Sequence, residues 1–289
     1  MRVLILGGNG MLGHAAWQSF RKDFDVYVSI RGTFSEVERF AIFDKKKTIC
    51  GACAEDFPAF EKIINTVKPD VILNCIGIVK QIREAADPIK SIEINSLFPH
   101  KLAILCRMNN YRLIHLSTDC VFSGKKGHYT ENDNPDPQDL YGRTKLLGEV
   151  IDGNVLTIRT SIIGRELSTN HGLLEWFLSQ DDKSVKGYTN VIFSGFTTTV
   201  LCAILKDIII NHADFKGLFH VSSEPISKYK LLLLIKERMD LKIRIIPDDE
   251  FKCDRSLDSS KFRREAAYYP PSWEDMVKKM AEEIKKGAR

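Results

Sequence analysis

Short β-branched runs alternate with longer segments of helical period through roughly the first 160 residues, and this rhythm limits the fold more than any other feature. The strand-like runs cover residues 3–6, 26–30, 71–74, 113–117 and 155–160. The helical segments cover residues 12–21, 57–67, 89–108 and 141–151. Such an order is typical of a parallel sheet with helices on both faces. The sequence therefore predicts an α/β fold built on a doubly wound parallel sheet.

The pattern loosens after about residue 164. Residues 187–199 are rich in Gly and Thr and predict a loop. Helical periodicity returns at 199–211, 227–239 and 272–285, with strand-like runs at 218–221 and 242–246. This part is too short and too loosely patterned for a second doubly wound sheet. We predict a first domain of residues 1–163 and a smaller α+β cap of residues 164–289, with part of about 190–215 returning to pack on the first domain.

Charge and hydropathy exclude several classes of protein. The chain has 42 Lys and Arg against 38 Asp and Glu, a net charge of +4, without the dense basic stripe of a nucleic-acid-binding protein. This disfavours an RNA-binding protein on the same scaffold. No apolar run approaches the roughly 20 residues that cross a bilayer, and the first residues show no cleavable signal pattern. We expect a cytoplasmic protein with no membrane partner.

The cysteines agree with a reducing compartment. Among the seven, Cys75, Cys106 and Cys202 lie in apolar segments, which is typical of reduced, buried thiols. Cys50 and Cys53 have C-x-x-C spacing, but no second Cys or His pair follows at the distance of a zinc site. We therefore assign no metal site.

A glycine-rich turn follows the first strand-like run. The segment GGNGMLG places Gly7, Gly10 and Gly13 three residues apart before a helix. A tight turn, a close approach of backbone to a diphosphate and tight helix packing each exclude a side chain, and a helix N-terminus attracts anions. The turn predicts a dinucleotide site in a Rossmann-type sheet. Arg31 directly follows the second run, at a place where NAD-binding proteins carry an acidic residue, so NADPH is favoured and NADH stays the alternative.

A hydroxyl and a Tyr–Lys pair form the candidate catalytic group. Tyr141 and Lys145 stand at positions i and i+4 of a predicted helix and share one face. The ammonium group favours the phenolate and brings the tyrosine pKa towards working pH. Thr118 directly follows the run at residues 113–117, where its hydroxyl completes a pair of donors around a carbonyl oxygen. This arrangement indicates acid catalysis on a carbonyl group.

These motifs resemble the extended short-chain dehydrogenase/reductases, and within them the dTDP-4-dehydrorhamnose reductase-like group. The resemblance covers almost the whole chain and rests on GGNGMLG, KPDVILNCIG, INSLFPHKLA, STDCVFSG, YTENDNPDPQDLYGRTKLLGE, RTSIIG and LDSSKF followed by PPSW. It implies an NAD(P)H-dependent oxidoreductase that reduces the C4 ketone of a nucleotide-linked 4-keto-6-deoxy sugar. The resemblance also implies a place in surface polysaccharide or deoxysugar synthesis.

Roles for individual residues follow from the same resemblance. Tyr141 gives the proton, Lys145 holds the nicotinamide ribose hydroxyls, and Thr118 polarises the substrate oxygen. Asn95 resembles the Asn that supports the catalytic Lys through water. The positions implied to line the cofactor are Gly7, Gly10, Met11, Leu12, Gly13, Arg31, Cys75, Ile76, Gly77, Tyr141 and Lys145. Cofactor and catalytic residues then fall within residues 1–163, and sugar recognition falls mainly within 164–289.

Two departures from the family pattern affect the interpretation. Members commonly carry an Asp beside the adenine after the third strand, where this chain has Ala52 and Cys53. Related 4,6-dehydratases follow the catalytic Thr with Asp-Glu, whereas here Asp119 precedes Cys120, which argues against dehydration. Cys120 and the later His171 instead match the pair with which GDP-fucose synthase epimerises its substrate before reduction. An epimerase-reductase is therefore an alternative function.

Three further points stay open at this stage. Members of this group have been recruited as binding partners of other enzymes, so a non-catalytic, NADP-binding regulatory subunit is a second alternative. Arg255 is a candidate for the diphosphate of the sugar nucleotide, or for a surface ion pair with a neighbouring Asp. A homodimer is the oligomeric state considered.

Overall fold

Each strand-like run of the first part of the chain forms a strand of one central sheet in the computed structural model, which describes residues 1–287 apart from the side chain of Arg83. The strands are β1 (Arg2–Leu6), β2 (Asp25–Ser29), β3 (Thr48–Ile49), β4 (Val71–Asn74), β5 (Arg112–Leu116), β6 (Val155–Arg159), β7 (Ile162–Ile163), β8 (Ser184–Tyr188), β9 (Val191–Phe193), β10 (Phe196–Thr197), β11 (Gly217–His220), β12 (Ile226–Ser227), β13 (Arg244–Asp248) and β14 (Cys253–Asp254). The helices are α1 (Met11–Phe20), α2 (Phe34–Glu38), α3 (Phe57–Val67), α4 (Pro88–Ile92), α5 (Phe98–Asn109), α6 (Leu140–Leu147), α7 (Leu173–Leu178), α8 (Thr198–Asn211), α9 (Lys228–Met239), α10 (Ser260–Glu265) and α11 (Trp273–Lys285).

The strand order of the central sheet creates a switch point beside β1. Among residues 1–287 this sheet has seven strands in the order β11-β6-β5-β4-β1-β2-β3. β1 pairs in parallel with β2 on one side and with β4 on the other, and β5 and β6 continue in parallel beyond β4. Ligands of open α/β sheets bind where the strand order reverses, at the carboxyl ends of the strands. The predicted doubly wound parallel sheet is confirmed.

One face of this sheet packs on α3 and α5. The rings of Phe60 on α3 and Phe98 on α5 meet edge to face with centroids 4.9 Å apart. Both residues are fully buried beside Leu4 and Ile72 of the sheet. Burying side chains of this size contributes about 1.5–3 kcal/mol each relative to exposure. Helix α3 begins at the predicted residue because Asp56 accepts a hydrogen bond from the Ala59 N–H as its N-cap.

Residues 187–199 are not the predicted loop. They contain the end of β8, all of β9 and β10, and the start of α8. β8 pairs with the distant β13, and β9 lies between β12 and β14. The glycines serve close packing here, because a Cβ on Gly187 would lie 2.7 Å from the Tyr229 ring and one on Gly195 only 2.2 Å from the Ser161 carbonyl oxygen. Pairing with remote strands therefore outweighed the local turn signal.

The chain forms two compact units that interleave along the sequence. The first contains Met1–Ser117, Asp139–Ile158 and Cys202–Leu218, and the second contains Thr118–Gln138, Arg159–Leu201 and Phe219–Arg289. The functional division into residues 1–163 and 164–289 stays a prediction. In the part of the chain that the structure describes, no helix is both long and apolar enough to span a membrane.

Candidate active site

The glycine-rich turn connects β1 to α1 in the first unit. Gly7 adopts a left-handed φ of +81° and turns the chain out of the strand. The Gly8 N–H donates to the carbonyl oxygen of Ser29 at 2.7 Å, which ties the turn to the end of β2. A Cβ on Gly13 would lie 2.1 Å from the Gly7 carbonyl oxygen. Two of the three glycines are thus required by the protein's own turn and packing.

Neither the turn conformation nor the helix packing requires a glycine at position 10. It is the N-cap of α1, with ordinary extended angles and no side-chain cap on the helix. Among the described residues, a Cβ at Gly10 would approach within 4 Å only the Gly7 carbonyl oxygen, at 3.3 Å. The uncapped first turn, which includes Met11 and Leu12, offers backbone N–H groups and the positive end of the helix dipole. The open space over Gly10 and these donors fit a diphosphate.

Arg31 lies two residues after the end of β2 and is exposed. Hydrogen bonds from Thr33 lower the pKa of Glu36, and the nearby charge of Arg31 lowers it further. Ala52, at the position where the family pattern has an Asp, is buried and its N–H donates to the Ile30 carbonyl oxygen at 3.0 Å. The cationic side chain at this edge is chemically suited to a 2′-phosphate.

The segment after β4 is held from two sides. The Asn74 side chain accepts from the Ile76 N–H at 3.1 Å, and its amide lies 3.1 Å from Nδ1 of the fully buried His115. Burial holds the pKa of His115 well below its usual value, so this imidazole is neutral. Burial also raises the pKa of the Cys75 thiol to about 12. Cys75, Ile76 and Gly77 therefore form a neutral, fixed edge at the carboxyl end of β4.

Tyr141 and Lys145 lie one turn apart on α6, as their spacing predicts. Asp139 caps this helix by accepting from the Gly142 N–H at 2.7 Å. The Lys145 side chain is buried, and its Nζ donates to the Leu116 carbonyl oxygen at 2.7 Å. Burial lowers the pKa of Lys145 to about 8, while the negative charge of Glu149 opposes that shift, as a Cys75 thiolate also would. Because the Lys145 ammonium group is poorly solvated, charged groups placed beside it change its pKa strongly.

The helix is shorter than the predicted 141–151, because α6 ends at Leu147. The reason is close packing on the π-helical turn Glu93–Leu97 between α4 and α5. A Cβ on Gly148 would lie 1.9 Å from the Asn95 carbonyl oxygen, so the chain approaches this turn as only glycine permits.

Asn95 occupies the same π turn, a helix irregularity that occurs frequently at functional sites. Its amide oxygen accepts from the Ile78 N–H at 2.8 Å, and its amide nitrogen donates to the Ile78 carbonyl oxygen and to Thr144 Oγ1. A Cβ on Gly77 would lie 3.3 Å from the Asn95 amide oxygen and 4.0 Å from the Lys145 Nζ. Asn95 thus fixes the segment that faces the Lys145 ammonium group.

The second unit contains Thr118, Cys120 and Arg255. Thr118 Oγ1 accepts from the Cys120 N–H at 3.1 Å and lies 3.2 Å from a carboxylate oxygen of Asp119. The Arg255 guanidinium donates to the Phe122 carbonyl oxygen at 2.8 Å and to Cys120 Sγ at 3.6 Å. The role of Arg255 as a diphosphate ligand stays a prediction beside this contact with the thiol.

His171 stands outside this group of contacts. It is exposed, just before α7, and its backbone N–H donates to the Glu166 carboxylate at 2.8 Å. Its part in an epimerase pair with Cys120 stays a prediction. Within residues 1–287, no group of three or more His, Cys, Asp or Glu side chains is arranged to hold a metal ion.

Comparison with known proteins decides the family. The model of the RmlD substrate binding domain family matches residues 1–286 of this chain. The chain belongs to the RmlD-like family of extended short-chain dehydrogenase/reductases. Its likeness to curated relatives is moderate. It is 26% identical over 244 residues to dTDP-4-dehydrorhamnose reductase of Aggregatibacter actinomycetemcomitans, covering 81% of this chain and 78% of that protein.

Another family relative carries a different name. The chain is 25% identical over 265 residues to methionine adenosyltransferase 2 subunit beta of Danio rerio, covering 83% of this chain and 74% of that protein. Among solved structures, a dTDP-4-dehydrorhamnose reductase from Bacillus anthracis in complex with NADP superimposes with a TM-score of 0.82 at 20% identity. That match covers 98% of this chain and 99% of the other, and it supports the shared fold.

Sequence reasoning did not assign roles to Ser117, Glu149 or Asn74. Ser117 Oγ donates to the Glu149 carboxylate at 2.6 Å, across 32 positions of the chain. One signal in the sequence indicated that Glu149 lies near the site, which is its i+4 spacing from Lys145. For this RmlD-like chain, the site thus includes supports that lie outside the Tyr141 and Lys145 pair.

Proposed function

We propose that this RmlD-like protein reduces the C4 ketone of a nucleotide-linked 4-keto-6-deoxy sugar with NADPH. The observation that carries the proposal is the buried Lys145 ammonium group, held on the Leu116 carbonyl oxygen one helical turn from Tyr141. The family and a relative named dTDP-4-dehydrorhamnose reductase support this choice of chemistry. We place the reaction in the cytoplasm, in the synthesis of surface polysaccharide or deoxysugars.

The first unit is proposed to bind the cofactor. Backbone N–H groups of the α1 first turn, over Gly10, would hold the diphosphate, and Arg31 would pair with the 2′-phosphate. Lys145 would donate to the nicotinamide ribose hydroxyls, since its Nζ lies beside Gly77. NADPH, when bound, supplies the hydride for the sugar carbonyl carbon. The structurally similar reductase of Bacillus anthracis was solved in complex with NADP, which agrees with this choice of cofactor.

Tyr141 is proposed as the proton donor. As hydride reaches C4, charge develops on the carbonyl oxygen, and the Tyr141 hydroxyl transfers its proton to that oxygen. The positive charge of Lys145 stabilises the phenolate that remains, and solvent returns the proton to Tyr141. Thr118 would donate a second hydrogen bond to the same oxygen, which favours the transition state over the ketone. The balance is one hydride and one proton added, giving an alcohol and NADP⁺.

The decisive experiment measures NADPH oxidation against a panel of dTDP-, UDP- and GDP-linked 4-keto-6-deoxy sugars. Tyr141→Phe should lower kcat by about a thousandfold, within the range of general acid catalysis, a loss much larger than its effect on NADPH affinity. Tyr269→Phe is the matched control, because Tyr269 is exposed and loses the same hydroxyl. Wild-type turnover that persists in Tyr141→Phe would disprove the proposed proton donor.

A regulatory subunit is the second candidate, because a relative is named as subunit beta of methionine adenosyltransferase 2. In such a regulatory role, this chain would bind NADPH without oxidising it. Titration of NADPH fluorescence measures binding, and the same sugar panel measures turnover. Tight binding of NADPH, with no sugar of the panel turned over, would favour this candidate over the reductase.

An epimerase-reductase is favoured by one contact, the hydrogen bond from Arg255 to Cys120 Sγ. A guanidinium group beside a thiol stabilises the thiolate, the form that removes a proton from carbon. Incubating enzyme and keto-sugar in D2O without NADPH should then exchange hydrogen on the carbon next to the ketone. Cys120→Ser should stop the exchange, and His171→Asn should slow it, while Cys50→Ser at an exposed thiol should not. Absence of exchange in the wild type leaves a plain reductase.

A further inference from the structure

We propose that Glu149 is a positioning residue for the reduction, which holds the end of β5 through Ser117 and supplies the negative charge that faces Lys145. The inference rests on the proposed function, because it concerns the lysine that the reduction uses. It adds a residue beyond Tyr141, Lys145 and Thr118 to the working parts of the site.

The first support is a double attachment at the end of β5. Ser117 Oγ donates to the Glu149 carboxylate at 2.6 Å, and the Lys145 Nζ donates to the Leu116 carbonyl oxygen at 2.7 Å. Leu116 and Ser117, which are consecutive, are therefore bound by the side chains of Lys145 and Glu149, which lie four positions apart. Thr118 follows Ser117 directly in the chain. Fixing Leu116 and Ser117 consequently limits the backbone from which the Thr118 hydroxyl projects.

The second support is the place of Glu149 just beyond the end of α6. The helix stops at Leu147, and Gly148 packs on the Asn95 carbonyl oxygen as closely as only glycine allows. The Gly148 N–H still donates to the Thr144 carbonyl oxygen at 3.1 Å, so the chain leaves the helix in a fixed direction. The carboxylate of Glu149 is thereby brought to β5 by backbone packing.

The third support is charge. Among the described residues, three titratable groups interact electrostatically with the Lys145 ammonium group. They are Cys75 after β4, His115 on β5, and Glu149, whose carboxylate binds Ser117 next to the Leu116 carbonyl that holds the Nζ. Burial raises the pKa of Cys75 to about 12 and keeps the pKa of His115 well below its usual value. Both are neutral at pH 7, so the carboxylate of Glu149 is the charge that balances the buried cation among these three.

Two variants separate the two parts of the proposed role. Glu149→Gln removes the charge and keeps an amide oxygen that can accept from Ser117. Ser117→Ala removes the hydrogen bond and keeps the charge. Glu274→Gln, at an exposed position on α11, is the matched control for loss of a carboxylate. Each change removes or exchanges few atoms, and circular dichroism with thermal unfolding checks that each variant folds.

The test follows the titration of Lys145 by NMR in protein labelled with ¹³C-lysine, with Lys145→Arg to assign the signal. Wild-type Lys145 should titrate near pH 8. Glu149→Gln should titrate about one pH unit lower, since an opposite charge has been removed, and Ser117→Ala and Glu274→Gln should match the wild type. Unchanged titration in Glu149→Gln would overturn the charge part of the proposal.

Turnover then tests the positioning part. Ser117→Ala should lower kcat about tenfold, the size of effect expected from a small misplacement of a donor, without moving the alkaline limb of the pH profile. Glu149→Gln should lower kcat and move that limb to lower pH, and Glu149→Asp should restore the limb. Wild-type kcat in Ser117→Ala would overturn the positioning part. If the wild type turns over no sugar, the proposed function fails. The NMR titration still decides whether the Glu149 carboxylate raises the pKa of Lys145.

Discussion

Gly13 lies so close to Gly7 that a Cβ atom on Gly13 would stand 2.1 Å from the Gly7 carbonyl oxygen. No flexible side chain can relieve this approach, because both partners are backbone. At Gly10 the same oxygen would lie 3.3 Å away, a distance that a small shift accommodates. Helix packing therefore requires Gly13, whereas packing does not require Gly10, for which we propose that a side chain would block the cofactor diphosphate.

Replacing each of these two glycines by Ala should separate the causes. Gly13→Ala should lower the free energy of unfolding by about 1–3 kcal/mol, the usual cost of forcing atoms into a packed site. Gly10→Ala should change it by less than about 1 kcal/mol, as for a change of N-cap. It should nevertheless weaken NADPH binding about tenfold or more, a loss of about 1.4 kcal/mol. Urea unfolding and fluorescence titration measure the two effects, and a stable, tightly binding Gly13→Ala would contradict the first.

Arg31 should determine the preference for NADPH over NADH. Arg31→Gln removes the cation proposed to pair with the 2′-phosphate, so NADPH affinity should fall by about ten- to a hundredfold, or 1.4–2.8 kcal/mol. NADH lacks that phosphate, and its affinity should stay the same. Arg264→Gln, at another exposed arginine, is the control. If Arg31→Gln lowered the affinities for NADPH and NADH equally, Arg31 would not be the residue that binds the 2′-phosphate.

Stability at alkaline pH should report the buried Lys145. Its pKa in the fold is about 8, below the ordinary 10.5, so between these values the unfolded chain binds more protons. The free energy of unfolding should therefore gain up to about 1.4 kcal/mol per pH unit from this group as pH rises. Lys145→Met removes the gain. Urea unfolding at pH 8 and pH 9 in both proteins measures the difference, and parallel pH dependence would argue against a buried ammonium group.

Stability at acid pH should report His220. This fully buried imidazole donates through Nδ1–H to the Tyr129 carbonyl oxygen at 2.9 Å, and the Arg159 guanidinium lies 3.2 Å from its Nε2. Burial first, and then the charge of Arg159, lower its pKa from 6.5 to about 4. The stability of the neutral form is present above pH 6.5 and is lost as pH falls towards 4, by up to about 3 kcal/mol.

Two His variants check this prediction. His220→Gln should flatten the decline between pH 6.5 and 4, whereas His128→Asn at an exposed position should leave it as in the wild type. His115 contributes with the same sign, because burial lowers its pKa as well, so part of the decline should persist. A decline as steep in His220→Gln as in the wild type would assign the whole effect to other groups.

The contact between Arg255 and Cys120 should make this thiol reactive. Iodoacetamide should alkylate Cys120 faster than Cys75 and Cys106, because burial raises the pKa of both of these thiols to about 12. Arg255→Met should slow the reaction of Cys120 about tenfold, since thiolates are stabilised by neighbouring cations. Arg264→Met serves as the control. Mass spectrometry of timed digests measures each rate, and an unchanged rate in Arg255→Met would contradict the role of the guanidinium.

Local patterns in the sequence predicted most strands and helices of the first 160 residues to within a few positions, apart from the C-terminal end of α6. They did not predict α2, β3 or the strands between residues 184 and 197. β3 is two residues long, too short for periodicity, and exists because it pairs with β2. β8 and β9 exist because β13, β12 and β14 return to them from distant parts of the chain. Strands that depend on remote partners carry weak signals of their own.

The candidate site divides in the same way. The sequence by itself determined the turn at Gly7 and the helical spacing of Tyr141 and Lys145, because both depend on backbone geometry within a few residues. Only the tertiary structure decided that Ser117 meets Glu149 and that Arg255 reaches Cys120, across 32 and 135 positions. The contact between Ser117 and Glu149 depends on the direction that the chain takes after Gly148, and the contact between Arg255 and Cys120 joins two distant parts of the chain. The physical reason is that short-range sterics are fixed by neighbouring residues, whereas the partner of a buried polar group is fixed by packing.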